Sequence, residues 1–272
     1  MIKPVRYHKK LEGKSNAHLI TFDDGNDYVV KFYQPGCEKT LPNEWIGYCL
    51  ARYLQLPVPF GRIVEIPEDF LETCPQENRE TEHKTERGER REIPYQFASR
   101  YVPDCVDGHE VAEISKLTNS AMLARIILFD YWLWNRDRTR KNMLFEKEND
   151  GVFALWAIDQ AEILGGFNWE QDDLESLPSG LIKSTAHKMM TSFIDSEEDF
   201  YEQLEVIQTM PILLMEEIVA LIPEEWGVTK AERKSIVTTL LHRRHKVLPK
   251  QMRRFIHKIY RPLKEEKGSV KD

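Results

Sequence analysis

At 272 residues the chain has room for one large two-lobed domain or two modest ones, and 41% hydrophobic content supports a sizeable core. A formal charge of −7 argues against a whole-surface grip on nucleic acid. Cys37, Cys49, Cys74 and Cys105 show no CxxC spacing, so they read as reduced thiols rather than a disulfide framework or zinc site. The opening MIKPVRYHKKLEGK lacks the apolar run of a signal peptide, and no stretch approaches the roughly twenty apolar residues of a membrane span. The expected setting is cytoplasmic.

The first hundred residues are strand-rich. HLITFDDG and DYVVKFY alternate apolar and polar side chains around the turn residues Asp23, Asp24, Gly25 and Asn26, which predicts a β-hairpin. LPNEWIGYCLARYL has Trp45, Cys49 and Tyr53 at helical spacing, with Pro42 near its start and Pro57 and Pro59 beyond its end. GRIVEIP and IPYQFASRYV read as two further strands. Between them, from about Glu68 to Glu92, charges crowd out apolar residues, and that composition predicts a mobile loop.

From Val111 the pattern turns helical, and ISKLTNSAMLARIILFDYWLW reads as one long helix. MLFE and VFALWAID bracket the turn Glu148 to Gly151 and predict a short hairpin. Beyond Asp172 the chain reads as helical to its end, interrupted at Pro211, Pro223, Pro249 and Pro262. No internal repeat is visible. Strands first and helices after indicate an α+β protein, with residues 1–103 as a β-rich lobe and 104–272 as a helical lobe.

Several residues carry chemistry. Lys31 projects from an apolar strand; for a lone lysine, an edge position facing water is the ordinary explanation. Glu44, thirteen residues on and expected in the first turn of a helix, changes that, because a strand lysine held by a helix glutamate positions ATP phosphates in kinases. Gly13 to Asn16 is a short loop that could turn N–H groups towards phosphate, although it is no Walker A motif and an ordinary turn explains it equally well. NRDRTRKN is sharper: Asp137 and Asn142 lie five apart between a helix and a strand, the spacing of a kinase catalytic loop. Asp159 then ends an apolar strand, and a carboxylate joined by a carboxamide suits Mg²⁺.

These pieces, S-N-A-H-L-I, Y-V-V-K-F, N-E-W-I-G, L-P-V-P, N-R-D-R-T-R-K-N and A-I-D, resemble in order the HipA-like kinase family, and the loop is also similar to the D-R-H-x-x-N of phosphoinositide lipid kinases. The resemblance is clearest over Ser15 to Pro59 and Phe129 to Asp159. It implies a two-lobed, protein-kinase-like fold that uses ATP and Mg²⁺ to phosphorylate a hydroxyl, with a protein Ser/Thr as the expected acceptor. By the same resemblance Lys31 contacts phosphates with Glu44 as its partner, Asp137 is the catalytic carboxylate, and Asn142 and Asp159 hold the metal. Gly13, Lys14, Ser15, Asn16 and Ala17 would cover the phosphates, and the backbone of Ser99, Arg100 and Tyr101 would hold the adenine. The family usually has His where this chain has Thr139, so Arg140 and Lys141 are candidates for the missing positive charge. Two rivals stay open: a small-molecule or lipid-headgroup kinase, and a nucleotide-binding pseudokinase acting as a regulatory module. Adenylyl transfer is a minor third.

Lys230 to Lys264 holds twelve Lys or Arg and one acidic residue, Glu232. It could dock an acidic partner, although such a run is more often a solvated helical face. It lacks the aromatic interleaving of a nucleic-acid groove. No HExxH spacing supports a catalytic zinc, and Trp132, Trp134 and Trp156 read as core residues packed behind the loop.

Overall fold

The computed structural model describes residues 1–74, 82–84, 90–111 and 113–269. Its strands are β1 (Pro4–Lys10), β2 (Ala17–Phe22), β3 (Asp27–Lys31), β4 (Gly61–Glu65), β5 (Glu82–Lys84), β6 (Arg90–Glu92), β7 (Tyr95–Arg100), β8 (Cys105–Asp107), β9 (Lys116–Leu117), β10 (Met143–Asn149) and β11 (Val152–Ala157). One antiparallel sheet runs β1-β2-β3-β7-β4, and a second runs β8-β10-β11-β9 with β9 parallel to β11.

The hairpin read from Asp23 to Asn26 joins β2 to β3, with Gly25 at φ +78° where a side chain would be strained. Alternation along these strands buries Ile20, Phe22, Tyr28 and Val30 against Val64 and Ala98. Lys31 follows Val30 and so faces the other side of the sheet, where helix α1 (Thr40–Tyr53) packs. The core face of α1 is Ile46, Leu50 and Ala51, while the Trp45, Cys49, Tyr53 stripe that marked the helix in sequence is its less buried side. Glu44 lies in the second turn of this helix, not the first. The inward face of α1 joins the larger core, which is built on α3 (Leu123–Leu133) with Ile126, Ile127 and Trp132 fully buried.

Two expectations are corrected here. The stretch from Ile114 is not one helix: it pairs as β9, turns at Thr118–Asn119, takes a short 3-10 turn at Ser120–Met122 and becomes α-helical only at Leu123. Asn119 decides this, because its side chain donates to Leu155 O (2.8 Å) and accepts from Leu155 N (3.1 Å), imitating a strand neighbour of β11. In the charged insertion, Glu68–Glu72 forms a short helix α2, and β5 pairs with β6. The rest of the expected loop, 75–81 and 85–89, lies outside the described residues.

The remaining helices are α4 (Gln171–Glu175), α5 (Thr185–Thr191), α6 (Glu198–Thr209), α7 (Ile212–Ala220), α8 (Lys230–His242), α9 (Leu248–Phe255) and α10 (Arg261–Ser269). The last three are continuous through wide π turns at Arg243–Val247 and Ile256–Tyr260, so Pro249 and Pro262 do not interrupt the run. A widened turn relieves the clash between a proline ring and the carbonyl four residues back, which falls within each π turn. Among the described residues no helix is long and apolar enough to cross a membrane.

Candidate active site

Lys31 is 6% exposed, and its ammonium donates to Glu44 Oε1 (2.5 Å) and to Asp159 Oδ1 (2.8 Å). Residues 13 and 128 positions away are thus joined at one buried cation. Glu44 Oε1 also accepts from Gln160 N (2.8 Å), which ties α1 to the backbone directly after Asp159. Burial, reinforced by Asp159, outweighs the pull of Lys31 and pushes the Glu44 carboxyl up to about 7. Asp159 is held below the usual carboxylate range: burial opposes this, but the Lys31 charge and hydrogen bond prevail. Burial likewise disfavours the Lys31 cation, yet the two carboxylates raise its pKa overall. Asp159 itself sits at φ +61°, an uncommon conformation for a non-glycine residue and one that costs energy to hold.

The Asp137–Asn142 loop begins where Trp134 takes the left-handed conformation (φ +59°) and ends α3. Asn142 Nδ2 donates to Asp137 O (2.7 Å) and Oδ2 (2.9 Å), so the residues five apart in sequence meet in space. Ile158 N donates to Asn142 O (3.1 Å), which sets Asp159 one residue from that junction. With both amide hydrogens used, the oxygen of Asn142 stays an acceptor, and a quarter of the Asp159 side chain is exposed. Among the described residues no cluster of three His, Cys, Asp or Glu could hold a metal ion. Mg²⁺ does not require one, since it is commonly held by one or two protein oxygens together with waters and phosphates. The donor set fits such an ion.

The residues that hold this loop were missed in the sequence. Asp130 is fully buried in α3 and accepts from Arg138 Nε at Oδ2 (3.0 Å) and Nη2 at Oδ1 (3.1 Å), while His187 Nε2 lies 2.9 Å from the same Oδ2. Arg138, 1% exposed, continues to Gln160 Oε1 (3.0 Å), Asn142 O (3.0 Å) and Ile158 O (2.5 Å). One guanidinium therefore holds both the residue before β10, Asn142, and the segment after β11 that leads to Asp159. The available signal was a lone carboxylate inside an apolar helix, which must find a buried partner. Thr139 is exposed, and the loop is braced by Arg138. The Glu162 carboxyl was not singled out either: burial and then Asp137 raise its pKa, Lys14 lowers it, and Asp159 and Arg136 add smaller opposing effects.

The other sequence candidates are placed less centrally. Gly13 (φ +134°), Lys14, Ser15 and Asn16 (φ +43°) form the turn between β1 and β2, and Ala17 pairs with Lys31. Lys141 is exposed in the turn Arg140–Asn142. Ser99 and Arg100 end β7 and Tyr101 follows it, but the Arg100 N–H is given to Phe60 O (2.7 Å) and the Tyr101 N–H to Asp27 O (2.9 Å). As folded, those two N–H groups are spent within the sheet, so the adenine contact expected there loses two donors. In the basic segment, Arg233, Arg243 and Arg244 cap helix and turn carbonyls: Val219 and Ile222, Leu133 and Leu164, and Met210 respectively. Arg243 is 1% exposed, and burial lowers its pKa to about 10.

The sequence model for HipA-like kinases matches residues 5–259. The chain belongs to the HipA-like kinase family. This HipA-like kinase is accordingly a phosphotransferase. Its structure is similar to that of the Helicobacter pylori proinflammatory kinase CtkA, with a TM-score of 0.58 at 13% identity over 93% of this chain and 96% of that one. It is also similar to the Golgi casein kinase with Mn/ADP bound, with a TM-score of 0.52 at 13% identity over 95% and 74% of the two chains. At such identity the likeness speaks for the fold: protein-kinase-like, with a β-rich lobe followed by a helical one. No curated protein matches the HipA-like kinase chain.

Proposed function

We propose that the protein transfers the γ-phosphoryl group of ATP to a hydroxyl, with Mg²⁺, and that the acceptor is a protein Ser or Thr. The observation that carries this reading is the closed Lys31–Glu44–Asp159 cluster beside the Asp137–Asn142 pair. Lys31 binds nucleotide phosphates, and Glu44 keeps its ammonium aimed into the cleft. The Gly13–Ala17 turn covers the phosphates, and the segment around Ser99–Tyr101 flanks the base. Asn142 and Asp159 would hold Mg²⁺, which supplies neutralisation of phosphate charge. Asp137 orients the acceptor hydroxyl and takes its proton as the oxygen–phosphorus bond forms and the bond to the ADP oxygen breaks. Lys141, which is exposed, and Arg140, which is half-buried, would supply positive charge for the acceptor reaction.

The lobe division at residue 103/104 and a cytosolic setting belong to the same proposal. Cys37, Cys49, Cys74 and Cys105 are free thiols, which suits a reducing compartment. The Golgi casein kinase structure contains Mn and ADP, and the shared fold makes nucleotide with a divalent ion the first ligand set to try. Incubation with Mg²⁺ and γ-labelled ATP, beside Asp137→Ala, tests the reading by label transfer and intact mass. Label carried by wild type and lost in the variant is the expected result. A mass gain of AMP size, or bound nucleotide with no turnover, would replace the reading with adenylylation or a pseudokinase.

A further inference from the structure

Asn43 stands one residue before Glu44 in α1, with none of its surface exposed. Its Nδ2 donates to Ala161 O (2.7 Å) and Gly166 O (3.0 Å), with a longer contact to Ile163 O (3.3 Å), and its Oδ1 accepts from Trp169 Nε1 (2.8 Å). An indole N–H can only donate and a carbonyl can only accept, so these partners admit one orientation of the amide. Among the described residues no backbone N–H answers the carbonyl of Ala161 or Gly166, which leaves the Asn43 amide as their support. The segment so held is a contorted one. Leu164 (φ +65°), like Asp159, is a non-glycine residue in the left-handed region, and Gly165 (φ +155°) and Gly166 (φ +117°) follow it. Such a backbone persists only where its surroundings over-determine it. Ala161 links this hold to the cleft, because its carbonyl goes to Asn43 while its N–H donates to Asp159 Oδ1 (3.2 Å). With Gln160 N on Glu44, two adjacent side chains of α1 grip the two residues that directly follow Asp159.

We propose that Asn43 is a positioning residue for Asp159: it fixes residues 160–166 against α1 through Ala161 and Gly166, and so sets the carboxylate that would hold Mg²⁺. Trp169 assists by fixing the amide, since its N–H occupies the one oxygen that would otherwise repel the carbonyls. Asn43 itself acts only through Ala161 and Gly166. Removing its amide would strand two carbonyls and release the Ala161 N–H from its aim at Asp159. The consequence for the metal rests on the phosphoryl-transfer reading; the hold on residues 160–166 does not.

Two measurements on the full chain separate these. The variants are Asn43→Ala and Gly166→Ala. The second is gentler: among the described residues an added Cβ at Gly166 meets nothing within 4 Å, so it acts through the backbone angle alone. Amide hydrogen exchange without nucleotide reads the hold. Exchange over 160–166 should quicken at least about tenfold in both variants while α3 keeps its protection. Unchanged exchange in the segment, or equal acceleration in α3, overturns the hold. Calorimetry with the non-hydrolysable ATP analogue AMP-PNP, in Mg²⁺ and in EDTA, reads the consequence for Asp159. Mg²⁺ should tighten binding to wild type at least about tenfold, and most of that gain should vanish in the variants while binding in EDTA stays within about twofold of wild type. Equal weakening in Mg²⁺ and EDTA would reduce Asn43 to a merely structural part and overturn its role towards Asp159, as would an undiminished gain from Mg²⁺. A wild type indifferent to Mg²⁺ overturns that role together with the phosphoryl-transfer reading, and the exchange result still decides the hold.

Discussion

Arg138→Met removes the guanidinium that joins Asp130 to both segments of the site. Asp130, with none of its surface exposed, would keep only His187 Nε2 at 2.9 Å and Asn135 Nδ2 at 3.3 Å. Breaking one partner of a buried ion pair costs about 3–5 kcal/mol, because the remaining charge is stranded in a low-dielectric site. Against the 5–15 kcal/mol that holds a typical domain, this is a large fraction. At roughly 2–4 °C per kcal/mol for a chain of this order, Tm should fall by about 10 °C. Urea unfolding followed by tryptophan fluorescence gives the free energy, and Asp130→Asn with the double variant completes the cycle. Asp130→Asn alone strands Arg138, so each single change should be severe and the double change milder than their sum. A loss under about 1 kcal/mol in Arg138→Met, or strict additivity, would refute the account.

The pH dependence has a definite sign. Burial opposes ionisation of Asp130, but the Arg138 charge and the His187 hydrogen bond hold its carboxyl below the usual range. A depressed carboxylate stabilises the fold above its unfolded pKa of about 3.9, and that contribution fades as pH falls through the folded value. The gap between wild type and Arg138→Met should therefore narrow below about pH 4.

Glu44 has the opposite sign. Its carboxyl is raised to about 7, so its contribution is fully present below its unfolded pKa of about 4.3 and is lost as pH rises through about 7. Glu44→Gln should flatten that decline, read as the urea midpoint between pH 5 and pH 8; an unchanged slope counts against the raised carboxyl. At Gly47 in α1 an added Cβ would come within 2.6 Å of Gln160 Cβ. Alanine in a helix ordinarily gains roughly 0.5–1 kcal/mol over glycine, but here the helix must move off the segment following Asp159. Gly47→Ala should lower both stability and phosphoryl transfer, and a more stable variant would show that α1 has slack there.

Local chemistry was legible where its partners are close in sequence. The β2–β3 and β10–β11 hairpins carry alternation and turn residues within about ten positions, and the Asp137–Asn142 pair is set by a spacing of five. The β9 strand had no such mark: its partner β11 lies 36 residues on, and the apolar spacing around it mimics a helix. In the basic segment, counting charges left a docking face or a solvated helical face open, and it could not show that three of its arginines answer carbonyls left open at helix ends and turns 11 to 110 residues away.

The same distinction explains why the clustered residues were singled out in the sequence and their support was not. In the proposed reaction Lys31, Glu44, Asp137, Asn142 and Asp159 answer what a phosphate, a metal ion and a hydroxyl would require, so residue type and order suffice to suggest them. Asp130, Arg138 and His187 are dictated by what the loop requires once it is buried. Their partners are eight and 57 residues apart, and nothing in the chemistry of the reaction calls for them. A carboxylate in the middle of LARIILFDYWL is nevertheless an energetic anomaly, and an anomaly of that kind demands a buried cation. Arg138, eight residues on and directly after Asp137, is that cation, and the pairing makes the position of Asp137, the proposed catalytic carboxylate, depend on the core of the helical lobe.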